Sequence, residues 1–278
     1  MLKTISHEVD FCVVGGGLAG MCAAIAAARA GKSVVLMQER PVLGGNASSE
    51  IRMWICGAQG ENNRETGIVE EINLESLYRN PYKIYSVWDS ILFGVVKKEQ
   101  NITLLLNTSA CDAEMEADKI KAVIGWQMTT QTWHHVSAKY FADCSGDSVL
   151  APLTHADYRI GREACEEFAE KTSIKTADKQ TMGLSCLIQA RKTDQDIEFI
   201  APAWAKKLTD EDIARRMPHM ESTSENFWYL ELGGDRDSIA DTEEIRDELV
   251  SLAFGYWDYF KNSGRFAGAE KWQLDFVG

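Results

Sequence analysis

Cysteines spaced to hold a metal or to form a redox pair are missing. The 278-residue chain has seven cysteines, and no two stand as C-x-x-C. Zinc and iron–sulfur spacings are therefore excluded, and the odd count gives no sign of a disulfide framework. Reduced thiols in a cytoplasm are the expectation. No apolar run is long enough to span a bilayer. The first residues read as charged flanks of a strand rather than as a cleavable signal. Positive charge is scarce: 29 Lys and Arg face 42 Asp and Glu, for a net charge of −13. That balance argues against nucleic acid and against anionic membranes as partners. No internal repeat, low-complexity tract or coiled-coil heptad is visible. The remainder is an ordinary globular composition, 45% hydrophobic and 26% charged. Its length suits one large or two modest domains.

Against that plain background one stretch stands out, FCVVGGGLAGMCAAIAAARAGKSVVLMQE from Phe11 to Glu39. Phe11 to Val14 reads as a buried parallel strand, followed by G-x-G-x-x-G at Gly15, Gly17 and Gly20. An Ala-rich helix runs to about Ala30, Gly31 ends it, and Ser33 to Met37 reads as a second buried strand with Glu39 at its carboxyl end. This is a βαβ unit carrying the dinucleotide fingerprint. Gly15 permits the tight turn, Gly17 leaves room for a pyrophosphate, and Gly20 lets the helix press on the sheet. Leu18 and Ala19 open the helix whose N–H groups would face the pyrophosphate. Glu39 would accept hydrogen bonds from ribose hydroxyls and disfavours a 2′-phosphate, so NADP is the poorer ligand. The unit alone fits FAD and NAD equally.

Arg40 to Ser49 follows, broken by Pro41 and by Gly44-Gly45 and continuing through Asn46. It can wrap a pyrophosphate or a flavin edge, or be a plain surface turn. Helices are predicted over Glu65–Tyr78 and Trp88–Lys98, and a short apolar strand over Ile102–Leu106. Three strand-like runs, Ala110–Glu116, Ile120–Met128 and His134–Ala142, read as an antiparallel meander covering one sheet face. His134 and His135 are adjacent on a strand and point to opposite faces, which disfavours a shared metal.

The pair VVGGGLAG and ER-x-x-x-GGNA resembles the FAD-binding domain of flavoprotein oxidoreductases. The longer string GGNASSEIRMWICGA is similar to a family of FAD-dependent oxidoreductases distantly related to fumarate-reductase-type and heterodisulfide-reductase-type flavin subunits. The resemblance covers residues 8–190. It implies that Glu39 binds the adenosine ribose, that Gly44-Gly45 lies over the FAD, and that the backbone at Thr108–Cys111 approaches adenine. Tyr140 to Asp147 resembles the motif that returns the chain to the sheet below the FAD phosphates, with Ser145, Gly146 and Asp147 in its turn. This second motif favours FAD over NAD.

The expected fold is α/β: a Rossmann-like parallel sheet with a β-meander crossover, plus a second α+β region. Residues 1–150 are expected to be the FAD-binding domain, with the meander at about 110–142, and residues 151–278 a partial substrate or cap domain. In the second region Met182–Ala190 and Phe227–Leu232 read as strands. Thr209 starts a short helix with an acidic first turn. A long helix, capped by Asp241 or Thr242, carries periodic apolar residues from Ile245 to Phe260 and stops near Gly264.

The leading function is hydride or electron transfer on a small-molecule substrate through a non-covalently bound flavin. The second reading is a non-catalytic or incomplete flavin-binding chain, and the third an NAD-dependent enzyme. Catalytic candidates are few. Arg52 and Cys56 follow the Gly-Gly loop, Cys56 being either a thiol near the flavin or a small packed residue. Arg159 and Arg162 are either anion-binding or salt-bridged at the surface, with Glu163, Glu166 and Glu167 nearby. After residue 150 no further glycine-rich strand-to-helix motif is found; Gly233-Gly234-Asp235 is the nearest. The chain therefore reads as short relative to the family, and a further segment, a partner chain or a second copy is expected to complete the flavin site.

Overall fold

The computed structural model describes residues 2–58, 60–214, 224–226 and 230–278. The chain divides after Tyr158 into two compact units.

In the first unit β1 (Lys3–Val14), α1 (Leu18–Arg29) and β2 (Val34–Met37) form the βαβ core. Then come α2 (Gly67–Arg79), α3 (Tyr85–Lys97), β3 (Ile102–Leu105), β4 (Thr108–Glu116), β5 (Lys119–Gln127), β6 (Thr132–Asp143) and α4 (Leu150–Thr154). The six strands lie in the order β3-β2-β1-β6-β5-β4. β3, β2, β1 and β6 run parallel, while β5 and β4 are antiparallel. All four residues of β2 are buried, as expected of a parallel strand covered on both faces.

Alternation along the strands sends side chains to two cores. Val13 and Leu36 meet Met21, Ala24, Ile25 and Ala28 of α1, Ile72 of α2, and Leu92, Val95 and Val96 of α3. Cys12, Val14, Val35 and Met37 face the other way and meet Val123 and Val136 of the meander and Leu150 of α4. Helices thus cover one face and the meander the other. The meander is nevertheless no separate sheet, because β6 is hydrogen-bonded to β1 from Lys3↔Thr132 to Val14↔Asp143.

The strand predicted from Phe11 begins earlier. Residues 3–10 are also part of β1, with Lys3 and Glu8 exposed. Ile5, His7 and Val9 are half-buried at every second position, and β6, distant in sequence, supplies their partner strand.

The second unit contains α5 (Cys165–Phe168), β7 (Leu184–Cys186), β8 (Ile188–Lys192), α6 (Asp210–Ala214), β9 (Ser224–Asn226), β10 (Leu230–Leu232), α7 (Thr242–Asn262) and β11 (Trp272–Val277). Two small antiparallel sheets form, β10-β7 and β11-β8-β9. Helix α7 buries Ile245, Leu249, Ala253, Tyr256, Trp257 and Phe260 in a core with Ile188, Leu230 and Trp272. Gly264 follows in the left-handed region, φ 74°. The predicted strand at 182–190 is two short strands, and β11 was not anticipated. Of the predicted strand at 227–232, residues 227–229 lie outside the described residues. No helix among the described residues is long and apolar enough to cross a membrane.

Candidate functional site

At the carboxyl ends of β1, β2 and β6, three segments far apart in sequence converge on one crevice of ≈ 520 Å³, within the range of ligand pockets. The first is the glycine turn between β1 and α1, with Gly15, Gly17, Leu18 and Ala19 in the lining. Gly15 has φ +102°, and a Cβ there would sit 2.1 Å from the Cys144 carbonyl oxygen. A Cβ on Gly20 would sit 1.9 Å from the Gly15 oxygen. Gly20 is buried and does not line the crevice; its service is to let α1 abut the turn. Gly17 differs: the nearest atom to a Cβ there is Gly45 Cα at 3.9 Å, so its open side faces the crevice. Gly17 caps α1 without a side-chain bond, and the first turn holds no acid. The leading N–H groups of the helix lack intrahelical acceptors, and its positive end is uncompensated by its own side chains.

The second segment is Gln38 to Ala47. Glu39 stands just past β2 with its side chain 61% exposed; Arg40 lies 3.9 Å from it and 3.7 Å from Glu50. The Gly44-Gly45 loop does not wander on the surface. The Gly44 N–H donates to Gly16 O at 2.9 Å, Gly44 bridges Gly17, and Gly45 through Ala47 form one 3-10 turn. Asn46 lines the crevice beside them.

The third segment is the turn after β6. Asp143 caps it: its Oδ1 accepts from the Ser145 N–H (3.0 Å) and hydroxyl (2.6 Å), and its Oδ2 from Leu150 N–H (2.7 Å). The Ser145 hydroxyl also accepts from Val149 N–H at 3.0 Å, so that side chain is committed to the turn. Ser145, Gly146 and Asp147 line the crevice, and Gly146 has φ 94°.

Several lining residues escaped the sequence reading. Gln38 is buried; its Oε1 accepts from Gly16 N–H at 2.7 Å and its Nε2 donates to Val42 O at 3.2 Å. It therefore fastens the glycine turn to the second segment. Its signal was available, since a polar residue closes an otherwise apolar strand just before Glu39. Met53, Trp54 and Ile55 also line the crevice, but from an irregular stretch that no periodicity marks. Thr108 to Cys111 do not line it. The Thr108 N–H donates to Gln38 O at 2.9 Å and Asn107 N–H to Arg40 O at 3.2 Å, so this strand flanks the Glu39 end.

The catalytic candidates are scattered. Arg52 lines a neighbouring hollow rather than the crevice, with its guanidinium 4.5 Å over the Tyr85 ring. Cys56 is exposed and lines neither. In the second unit Arg159 is ion-paired with Glu167. Arg162 is paired with Asp178 and donates to Gln180 at 2.8 Å. His134 is buried against His7 (2.9 Å), while His135 faces Glu114 (3.1 Å). Among the described residues no three His, Cys, Asp or Glu side chains converge as a metal site would require.

Unpaired helix amides, an open glycine face and an exposed acid at the end of β2 fit a dinucleotide's diphosphate and ribose. Comparison with known proteins gives the chemistry a name. A short match, 54% identical over 44 residues, relates the chain to an NADH:acrylate oxidoreductase of Vibrio harveyi; it covers 16% of this chain and 4% of that protein. Similar solved structures include a geranylgeranyl bacteriochlorophyll reductase-like protein from Thermoplasma acidophilum (15% identity, TM-score 0.46, 98% of this chain and 66% of that one). Another is the open conformation of a flavocytochrome c3 fumarate reductase (15%, 0.35, 49% and 33%). A third is the L-proline dehydrogenase from P. horikoshii (19%, 0.34, 52% and 24%). The chain thus spans less than two thirds of that dehydrogenase and only a small part of the curated relative. The family model described as FAD dependent oxidoreductase matches residues 10–271, nearly the whole chain, and on that match the chain belongs to the FAD-dependent oxidoreductase family, whose cofactor is FAD.

Proposed function

We propose that the crevice of the first unit holds FAD non-covalently and that the chain serves hydride or electron transfer on a small molecule through it. The observation that carries the reading is the convergence of the glycine turn, the Glu39–Asn46 segment and the Ser145–Asp147 turn on one cavity. The bound flavin supplies the redox chemistry; the protein binds and orients it. In this reading the first amides of α1, at Leu18 and Ala19, hold the pyrophosphate, and the open face of Gly17 admits it. Glu39 accepts from the adenosine ribose, and the Gly44-Gly45 loop closes over the diphosphate. Arg40 sits between Glu39 and Glu50 and holds the acid end in place. Seven unpaired thiols and a net charge of −13 support a reducing, cytoplasmic setting and a partner other than nucleic acid.

The test is titration of the protein with FAD, followed by visible absorbance, beside the same titration of Glu39→Gln. Loss of charge-assisted hydrogen bonds to the ribose should weaken FAD by roughly tenfold or more. Binding of FMN, which has no adenosine, should not respond to the substitution. Equal FAD affinity in the two proteins would refute the ribose assignment, and no FAD uptake by either would refute the crevice.

A further inference from the structure

A second hollow of ≈ 480 Å³ lies beside the crevice, and Ala47, Met53, Trp54 and Ile55 line both. Its other walls come from α2 and α3. Asn73, Ser76, Leu77 and Asn80 recur at i, i+3, i+4 and i+7 and so share one face of α2 and the residue that ends it. Ile72 turns instead to the core. Tyr85 and Trp88 supply aromatic surface from the first turn of α3.

These walls are pinned. Trp88 Nε1 donates to Ala47 O at 2.7 Å. Asn80, itself buried, accepts from Ile84 N–H at 2.8 Å and donates to Ile84 O at 2.9 Å. Arg52 donates through Nε to Ser49 O at 3.3 Å and lies over Tyr85.

The charge of the lining runs against that of the chain. Arg52 and Lys83 are present, and among the described residues that line the hollow there is no Asp or Glu, although the chain carries −13. The two cations attract a negatively charged group, the aromatic rings offer packing surface to a flat apolar one, and the flanking amide of Asn73 and hydroxyl of Ser76 offer hydrogen bonds.

We infer that this hollow binds the substrate, and that the substrate is a small organic carboxylate with a flat apolar body, drawn to Arg52 and Lys83 and packed on Trp54, Tyr85 and Trp88. Its role as substrate rests on the FAD reading of the adjoining crevice; its preference for a carboxylate does not.

The experiment is isothermal titration calorimetry of the FAD-loaded protein with benzoate, beside the neutral isostere benzyl alcohol. Flavin content is read separately from visible absorbance. Benzoate should bind saturably with Kd on the order of 1 mM or tighter, and benzyl alcohol far more weakly. Lys83→Gln should weaken benzoate by roughly threefold and Arg52→Gln by roughly tenfold. Arg52→Lys, which keeps the charge, should lose less than Arg52→Gln; a purely structural role for Arg52 would not rank them so. Equal binding of the alcohol, no saturable heat with benzoate, or expulsion of benzoate when FAD is loaded would each overturn the inference. The last result would show that the flavin itself fills the hollow. A protein that binds benzoate yet takes up no FAD would overturn the crevice reading and leave the carboxylate preference standing.

Discussion

The glycines of the first turn act by different means, and single residues around them carry much of the local order. Gly15 and Gly20 are excluded-volume positions, where any Cβ would strike backbone, whereas Gly17 keeps a face open. Asp10 does comparable work at the other end of the βαβ unit. Its carboxylate accepts from Lys139 Nζ at 2.7 Å and from the N–H and hydroxyl of Ser33 at 3.1 Å. It thereby joins β1 to β6 and to the start of β2. The Lys139 ammonium first, then Ser33, hold its pKa at about 2 against an ordinary 3.8. A carboxylate depressed in the folded state stabilises it fully above its unfolded pKa, and that contribution fades as pH falls toward the folded value. Denaturant midpoints measured across acidic pH should therefore drop for the native protein between 3.8 and about 2. Asp10→Asn should start lower and change less over that window. Parallel curves for the two proteins would show that Asp10 is not a linkage site. Arg159 and Arg162 follow the opposite logic: carboxylate partners occupy both, so the surface-pair alternative describes their geometry.

At the scale of elements, α3 shows how a helix away from the crevice shapes it. Its apolar face, Ile91, Leu92, Val95 and Val96, is buried against the sheet. Leu92 Cδ1 would lie 2.6 Å from a Cβ on Gly44, so this side chain props the loop that pairs with the glycine turn. Leu92→Ala should cost about 2–5 kcal/mol in stability and should also weaken FAD, because the Gly44 loop loses its support. Phe93→Ala, at a position 44% exposed on the same helix, should cost less than about 1 kcal/mol and leave FAD affinity alone. Urea unfolding beside flavin titration separates the effects; a Leu92→Ala protein with unchanged flavin affinity would break the link. The periodic pattern placed α2, α3 and α7 within a few residues of their ends. It missed the first half of β1 and all of β11, because edge residues with alternating half-burial become strand only when a distant strand arrives to pair with them.

Over the whole molecule, the seven thiols report how tightly each unit is packed. Cys56 and Cys111 are exposed. Burial pushes the Cys12 thiol up to about 12 and the Cys186 thiol up to about 11, one in the core of each unit. An aromatic disulfide reagent should modify Cys56 and Cys111 rapidly in the native protein. Cys12 and Cys186 should react only on unfolding, since thiolate is the reacting form and both are shielded. Peptide mapping after timed labelling checks the order, and early modification of Cys12 would contradict the packing of the sheet. The charge of −13 is likewise a property of the whole chain, which makes it informative that the described residues lining the hollow include Arg52 and Lys83 but no Asp or Glu.

Sequence alone determined the βαβ unit, the nucleotide fingerprint and the resemblance to FAD oxidoreductases. Those features are local: backbone turns demand glycine, buried strands demand apolar runs, and an amphipathic helix repeats its pattern within one element. Only the tertiary structure decided that β6 extends along the whole of β1, that Gln38 fastens the glycine turn, that Arg52 looks into a separate hollow, and that Met53 to Ile55 wall both cavities. Each of those depends on contacts between segments far apart in the chain, where packing and hydrogen-bond partners are chosen by the folded whole and leave no period or spacing in the order of residues.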